Sequence, residues 1–260
     1  MNRVIAPAKL TRSLSVTGVR PDGYHELRAE MVALDLADEL TFTEGASGLR
    51  ITAQPGTRAE SLEGVEGNLI TRALAAVGRA AAVEVVKRIP VGGGLGGGSS
   101  DAAAVLRWAG CTDPDVAIGL GSDVPFSLTG GRALVEGIGE TVTPLPFEAQ
   151  DFVLLIPPFG VDTGRVYAAW DERRLSGKPS GGTNELTEAA LSVEPALARW
   201  RDLFGELTGA DPVLAGSGST WFVEGRSSAG SIEDPGWLVS GADRARLLRV
   251  RTVPAGWHGS

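Results

Sequence analysis

Six glycines within seven residues restrict the folding of this 260-residue chain more than any other feature. The stretch runs from Gly92 to Gly98 and is interrupted only by Leu95. Because glycine loses more conformational freedom on folding than any other residue, a fold that keeps six together uses what they permit. A loop without Cβ atoms can adopt positive φ angles, and its backbone N–H groups can converge on an anion. The stretch therefore predicts an anion-binding loop.

The flanking sequence places this loop between a strand and a helix. A strand-like run at 83–89 precedes it, and the helix-forming run Ala102–Trp108 follows it. We expect Ser99, Ser100 or Asp101 to cap this helix, because a serine or aspartate before an alanine run is an N-cap signal. A helix N-terminus attracts anions through free N–H groups and its dipole. Together these elements predict a polyphosphate site, whereas a flexible linker would lack both neighbours.

Two better-known glycine loops fit less well. The pattern GxxxxGK[ST] is absent from the chain. The pattern GxGxxG can be matched at Gly92, Gly94 and Gly97, but a run this rich in glycine matches it almost automatically. A dinucleotide-binding fold would also place the loop directly after its first strand.

Composition argues against several classes of function. A net charge of −8 argues against a nucleic-acid-binding face, which is normally basic. We expect no membrane segment, since no run of about 18 apolar residues occurs, and we expect a cytoplasmic protein because the N-terminus lacks a signal-like apolar region. One cysteine and two histidines leave little for a metal site built from these residues. A small-molecule substrate, bound by a monomer or homodimer, is the expected partner.

The order of predicted elements is that of a mixed α+β protein with two domains, 1–148 and 149–260. The boundary follows a predicted hairpin around Gly137–Gly139 and precedes the apolar strand Phe152–Ile156. Asn68 is expected to cap an amphipathic helix. Near the end of the chain, Ala242–Leu248 is expected to be helical, followed by a strand at Val250–Val253.

Three further regions carry expectations. Arg12 interrupts the apolar face that Leu10, Leu14 and Val16 give to the first strand, so this strand is expected at a sheet edge or in the wall of a site. Ser176–Gly182 reads as a loop that could close over substrate, and 227–236 as a link rich in serine and glycine.

Four stretches together resemble the GHMP kinase superfamily: Pro7–Leu10, Asp22–Leu27, Pro90–Ala102 and Gly121–Phe126. The second resembles the signature of the branch that phosphorylates a cytidine diphosphate ester of methylerythritol. The resemblance implies the two-domain GHMP kinase fold, with a ribosomal-protein-like N-terminal domain and an α/β C-terminal domain. It also implies ATP-dependent transfer of phosphate to the 2-hydroxyl of the methylerythritol unit.

The resemblance also assigns roles to individual residues. Lys9 and Asp123 match the catalytic lysine and aspartate; Tyr24 and His25 match the residues that receive the cytosine, and Thr11 lies on the acceptor side. Ser100 is the candidate to approach Mg²⁺, a cation held mostly by phosphates and water. The expected ATP-binding residues are Pro90, Val91, Gly92, Gly93, Gly94, Leu95, Gly96, Gly97, Gly98, Ser99 and Ser100.

Two departures from the family pattern lie near the expected acceptor site. Thr11, Arg12 and Ser13 stand where the family has an asparagine and an apolar run, and the segment between Ser100 and Asp123 is shorter than usual. Both leave the ATP loop intact. A GHMP kinase for a different alcohol, or a nucleotide-binding protein without turnover, therefore remains open at this point.

Overall fold

Two sheets, one from each half of the chain, form the framework of the protein. We describe residues 2–58, 67–178, 181–225 and 236–259 of a computed structural model. The N-terminal sheet has the order β3-β4-β2-β5-β6, with β1 paired to β2. Its strands are β1 (Asn2–Val19), β2 (His25–Glu44), β3 (Gly48–Ala53), β4 (Ala81–Lys87), β5 (Arg132–Gly137) and β6 (Thr141–Pro144). All of its pairs are antiparallel except β3 with β4.

The C-terminal sheet has five strands in the order β10-β11-β7-β9-β8, and all neighbours are antiparallel. Its strands are β7 (Asp151–Ile156), β8 (Val213–Leu214), β9 (Trp221–Glu224), β10 (Gly236–Ser240) and β11 (Asp243–Arg251). Strands and helices alternate irregularly in both halves, which confirms the predicted α+β class.

Seven helices are seen in the described ranges. Four belong to the N-terminal half: α1 (Leu69–Ala76), α2 (Gly97–Ala109), α3 (Pro114–Leu120) and α4 (Val124–Thr129). Three belong to the C-terminal half: α5 (Thr163–Leu175), α6 (Thr187–Val193) and α7 (Ala196–Thr208). As predicted, Asn68 caps α1, with its side chain accepting a hydrogen bond from Ile70 N at 2.9 Å. None of these helices is long and apolar enough to cross a membrane.

The apolar core is continuous across the two halves. One cluster packs α1 and α2 on the N-terminal sheet, around Phe42 and Val85. Another joins Leu10 and Leu34 of the first two strands to Phe152 and Phe222 of the C-terminal sheet. Burying apolar surface between the sheets fixes their relative position, and this position determines which loops meet at the site described below.

The first two strands are longer than the sequence suggested. β1 passes through Pro7 without a break, because the register with β2 shifts between Pro7 and Lys9 and absorbs the missing N–H donor. Among the described strands β1 pairs with β2, and on its other side Leu14 forms an isolated bridge with Asn184.

Two local predictions were wrong. Helix α2 starts at Gly97, with Gly96 as its cap in the left-handed region and no side-chain cap, so none of Ser99, Ser100 and Asp101 caps it. The region predicted as a helix at 242–248 lies in strand β11 from Asp243 onward. Its buried residues, among them Ala245 and Leu247, alternate with arginines, a period of two that fits a strand.

The two sheets divide between the end of β6 at Pro144 and the start of β7 at Asp151, and the proposed boundary at 148/149 lies in this segment. The final residues return to the N-terminal half, where Val253 N–H donates to Ala33 O at 2.9 Å. The expected loop Ser176–Gly182 falls partly, and the link 227–236 almost wholly, outside the described residues.

Candidate active site

The glycine loop between β4 and α2 takes up the backbone geometry that its composition predicted. Gly92, Gly94 and Gly96 have φ angles of +71°, +76° and +70°. A Cβ atom at Gly94 would lie 2.6 Å from the carbonyl oxygen of Gly218, so the loop packs backbone against backbone on the late Gly/Ser loop. Thr220 Oγ1 donates to the carbonyl oxygen of Gly93 at 2.6 Å and ties the two loops together.

The loop leads directly into the N-terminus of α2, a helix of 13 residues. Ser100 N–H bonds to the carbonyl oxygen of Gly96 at 2.9 Å. The N–H groups of Gly97, Gly98 and Ser99 precede this bond, and in such a first turn they are available to an external acceptor. Loop and helix terminus together form an anion-binding cradle.

A buried ion cluster supports the cradle from below. Lys87 Nζ donates to a carboxylate oxygen of Asp38 and, at 2.6 Å, to Asp101 Oδ2. Asp38 Oδ1 also accepts a bond from the backbone N–H of Ile89, at 2.9 Å. Burial, reinforced by Asp38 and opposed by Lys87, raises the pKa of Asp101 to about 7. The cluster therefore links β2, the start of the glycine loop and the first turns of α2.

An ammonium and a carboxylate meet beside the cradle. Lys9 Nζ lies 3.4 Å from Asp123 Oδ2 and donates to Thr11 Oγ1 at 3.1 Å. The backbone N–H of Lys9 bonds to the carbonyl oxygen of Leu95, so its strand is attached to the glycine loop. Only 8% of the Lys9 side chain is exposed, against 29% for Asp123. The pair thus has a partly open carboxylate and a shielded cation.

A cavity of about 730 Å³ lies between the turn that carries Tyr24 and His25 and helix α5. His25 Nε2 lies 3.0 Å from Asp171 Oδ2, and the His25 ring stacks on Tyr167 with centroids 4.6 Å apart. Tyr24 lines the same cavity and is 61% exposed. Gly121 and Ser122, just before Asp123, form part of its wall. The cavity therefore adjoins the Lys9–Asp123 pair.

Comparison with known proteins gives the family. The GHMP kinase N-terminal domain model matches residues 68–112. The chain is 36% identical to 4-diphosphocytidyl-2-C-methyl-D-erythritol kinase of Paracoccus denitrificans, over 94% of this chain and 97% of that protein. It is also 36% identical to the enzyme of that name from Anaeromyxobacter sp. strain K, over 96% of this chain and 90% of that protein.

This chain belongs to the 4-diphosphocytidyl-2-C-methyl-D-erythritol kinase family. A crystal structure of such a kinase matches the fold with a TM-score of 0.64 and 34% identity, over 85% of this chain and 89% of the other. These results confirm the family and the GHMP kinase fold predicted from the four motifs.

Within this kinase fold, the sequence-predicted residues occupy different kinds of position. Lys9, Asp123 and Thr11 lie together, although Thr11 is only 2% exposed and accepts its bond from Lys9. Tyr24 and His25 lie at the neighbouring cavity. Residues 90–99 belong to the loop and the first helical turn that form the cradle.

The hydroxyl of Ser100, the residue expected to approach Mg²⁺, is bonded within the protein. Ser100 is fully buried, and its hydroxyl donates to the carbonyl oxygen of Pro7 at 2.5 Å, behind the cradle. Ser99, one residue earlier, is partly exposed. Among the residues that the structure describes, no three His, Cys, Asp or Glu side chains cluster as a metal site. Asp123, with 29% of its side chain exposed, is an oxygen donor of the kind that Mg²⁺ accepts.

Arg12 is not among the residues that line the cavity beside Tyr24 and His25. Its guanidinium bonds to Glu224 Oε1 at 2.8 Å and to Glu30 Oε1 at 2.8 Å, and it thereby joins the two halves of the kinase. Burial lowers the pKa of the Arg12 guanidinium. Its hydrogen bond to Glu224 and the negative charges of Glu224, Glu30 and Glu148 outweigh burial, so the pKa is raised overall. The unusual polarity after Thr11 therefore belongs to an interdomain ion cluster.

Sequence reasoning missed three residues of the site: Tyr167, Asp171 and the supporting Lys87. Tyr167 and Asp171 belong to α5, where their four-residue spacing places them on one helix face. Burial, with the charge of Asp123, raises the pKa of Tyr167, whose ring lines the cavity. Lys87 carried a weak signal, as one of three lysines in a chain whose cations are mostly arginine.

Proposed function

We propose that this protein transfers the γ-phosphoryl group of ATP to the 2-hydroxyl of 4-diphosphocytidyl-2-C-methyl-D-erythritol. The observation that carries the proposal is the Lys9–Asp123 pair, 3.4 Å apart, between the anion cradle and the cavity of Tyr24 and His25. A phosphate donor in the cradle and an alcohol in the cavity would meet at this pair. Family membership supports the same substrates.

The two side chains fit the two requirements of phosphoryl transfer, which are an oriented nucleophile and stabilisation of charge on the moving group. Asp123 accepts the proton of the acceptor hydroxyl as its oxygen bonds to the γ-phosphorus. The bond between that phosphorus and the bridging oxygen breaks, and ADP leaves. Lys9 pairs with Asp123 and neutralises charge on the transferred group. Thr11 holds the Lys9 ammonium in this position.

The cradle binds the phosphates of ATP through backbone N–H groups of 92–99 and the positive end of the α2 dipole. Mg²⁺, when bound, neutralises phosphate charge, and Asp123 and Ser99 are the residues that would hold it. Ser100 keeps its hydroxyl on Pro7 and supports the loop instead.

The cavity recognises the cytidine end of the acceptor. Tyr24 and Tyr167 both line it and offer ring faces to a pyrimidine, an interaction worth about 1–3 kcal/mol per stacked base. Asp171 accepts or shares a proton with His25 Nε2 and fixes the ring beside the base. Tyr24 is 61% exposed, so its ring is accessible to a base that binds in the cavity.

The test is ADP release by the purified protein with the cytidine diphosphate substrate, compared with Asp123→Asn. We expect turnover by the native chain and a loss of about 10²–10⁴-fold in kcat in the variant. The control is Asp113→Asn, a change of the same type at the cap of α3, which should retain activity. Turnover of another alcohol but not of this substrate would overturn the acceptor, and no turnover despite ATP binding would overturn the kinase activity.

A further inference from the structure

A second cavity of about 330 Å³ lies away from the cytidine cavity, between β1, the last turn of α2, helix α4 and the final residues of the chain. Its walls are mostly apolar, with aromatic rings from Trp108, Phe126 and Trp257. A concave, mostly apolar site of this size with a few polar groups is typical of a small-molecule site. The kinase mechanism above uses none of it.

The charged side chains that line this cavity are all basic or potentially basic: Arg3, Arg107 and His258. No described lining residue is an aspartate or glutamate. This is unusual in a chain with 32 acidic and 24 basic residues. Arg3 at the rim is paired with one acid, Glu39, at 2.8 Å. The positive local potential of the cavity therefore comes mainly from Arg107.

Arg107 is the least compensated of these cations. Its guanidinium donates to the carbonyl oxygens of Ser127 at 2.7 Å and Ile5 at 2.9 Å. These are neutral acceptors, and in the described part of the chain no carboxylate forms an ion pair with it. Burial lowers the pKa of Arg107 to about 10, which is the cost of a cation held without a counter-charge. A guanidinium has five N–H groups, so two bonds leave capacity for an anion.

We propose that this cavity binds a small organic anion with an apolar, preferably aromatic, body. The anionic head pairs with Arg107 and with Arg3 at the rim, and the body packs between Trp108 and Trp257. Ser127, whose carbonyl holds Arg107, also donates its hydroxyl to the carbonyl oxygen of Asp123 at 2.9 Å. An occupant therefore contacts the later residues of the same helix whose start presents Asp123.

The probe is 4-phenylbutyrate, and the uncharged 4-phenylbutanol is its control. Each compound is titrated by calorimetry into the full chain, with and without saturating ADP. A charge-assisted hydrogen bond is worth about 1.5–3 kcal/mol, so the carboxylate should bind about tenfold or more tightly than the alcohol. ADP should leave the affinity unchanged. Equal affinities, competition by ADP, or no binding of either compound at millimolar concentration would overturn the proposal.

Two variants locate the binding. Arg107→Gln should abolish the preference for the carboxylate, and its unfolding temperature is measured alongside because the side chain also holds two carbonyls. Arg3→Glu changes an exposed rim residue and should weaken phenylbutyrate several-fold. Arg199→Glu is the matched control, since Arg199 is also an exposed arginine paired to one acid, Asp243, but lies on α7. If Arg199→Glu weakens binding as much as Arg3→Glu, net charge and not this cavity explains the preference.

Discussion

The side chain of Lys9 crosses directly over the backbone of Gly96. A Cβ atom at position 96 would lie 2.7 Å from Lys9 Cγ, closer than such atoms approach. The glycine therefore serves two purposes, since its φ of +70° shapes the cap of α2 and its lack of a side chain admits the lysine. The cradle and the ion pair are consequently built as one unit.

Gly96→Ala is expected to lower kcat by about 100-fold or more, because displacing a reacting group by about 1 Å has an effect of that size. The measurement is steady-state ADP release. Gly110→Ala is the control, since Gly110 ends the same helix with a φ of +69° and open space around it. Both variants carry the backbone strain of about 1–3 kcal/mol. Equal losses of activity would show that strain, and not the position of Lys9, is responsible.

The parts of this site that sequence reasoning found are those whose chemistry is local. A glycine run before a helix and a lysine or aspartate inside a short motif can be recognised without knowing their partners. Asp171 could not be found this way, because its role depends on its hydrogen bond with His25, which lies on a different element and far away in sequence. The same is true of Arg12, whose partner Glu224 belongs to the other sheet.

Fold predictions failed where contacts with residues far away in the sequence outweighed the local sequence signal. A proline usually interrupts a strand, but a register shift against β2 lets β1 continue through Pro7. A serine or aspartate at 99–101 was predicted to cap α2, but Asp101 is buried and accepts a hydrogen bond from Lys87 instead. The residues at 242–248 favour a helix locally, but pairing with β7 and β10 makes them a strand. This pairing satisfies the backbone hydrogen-bonding groups and buries alternate side chains.

Asp101 is expected to make stability depend on pH. Its pKa is raised from its usual value near 3.8 to about 7, so folding favours its protonated form. Its contribution is therefore fully present below about pH 3.8 and is lost as the pH rises through 7. The pKa of Lys87 is raised above 10.5, so its contribution changes only at higher pH. Urea unfolding between pH 4 and 8 should give a flatter profile for Asp101→Asn than for the native chain.

The control for this experiment is Asp115→Asn, an exposed change in the first turn of α3. It should leave the pH profile as it is. If Asp101→Asn and Asp115→Asn give the same slope as the native chain, the buried cluster does not titrate in this range.

Tyr167→Leu is expected to raise KM for the cytidine substrate by about tenfold while leaving KM for ATP near its native value. The reason is the loss of one ring face, worth about 1–3 kcal/mol, from the cavity wall and from the stack with His25. Tyr167→Phe keeps the ring and should stay close to the native KM. A similar rise in both variants would assign the effect to the hydroxyl, and a rise in KM for ATP would place the ring at the nucleotide instead.

Arg12 is expected to act on stability and not on catalysis. Its guanidinium joins Glu30 of the N-terminal sheet to Glu224 of the C-terminal sheet, and Glu224 is 47% exposed. Partly exposed pairs of this kind contribute about 0.2–1 kcal/mol each, and salt screens them. A double-mutant cycle of Arg12→Leu and Glu224→Leu, read by urea unfolding, should give a coupling energy of about 1 kcal/mol that shrinks at high salt. Because the cluster lies outside the cavity of Tyr24 and His25, kcat at saturating substrates should remain within about twofold, a change of about 0.4 kcal/mol in the activation free energy. A large fall in kcat, with no coupling to Glu224, would instead return Arg12 to the wall of the acceptor site.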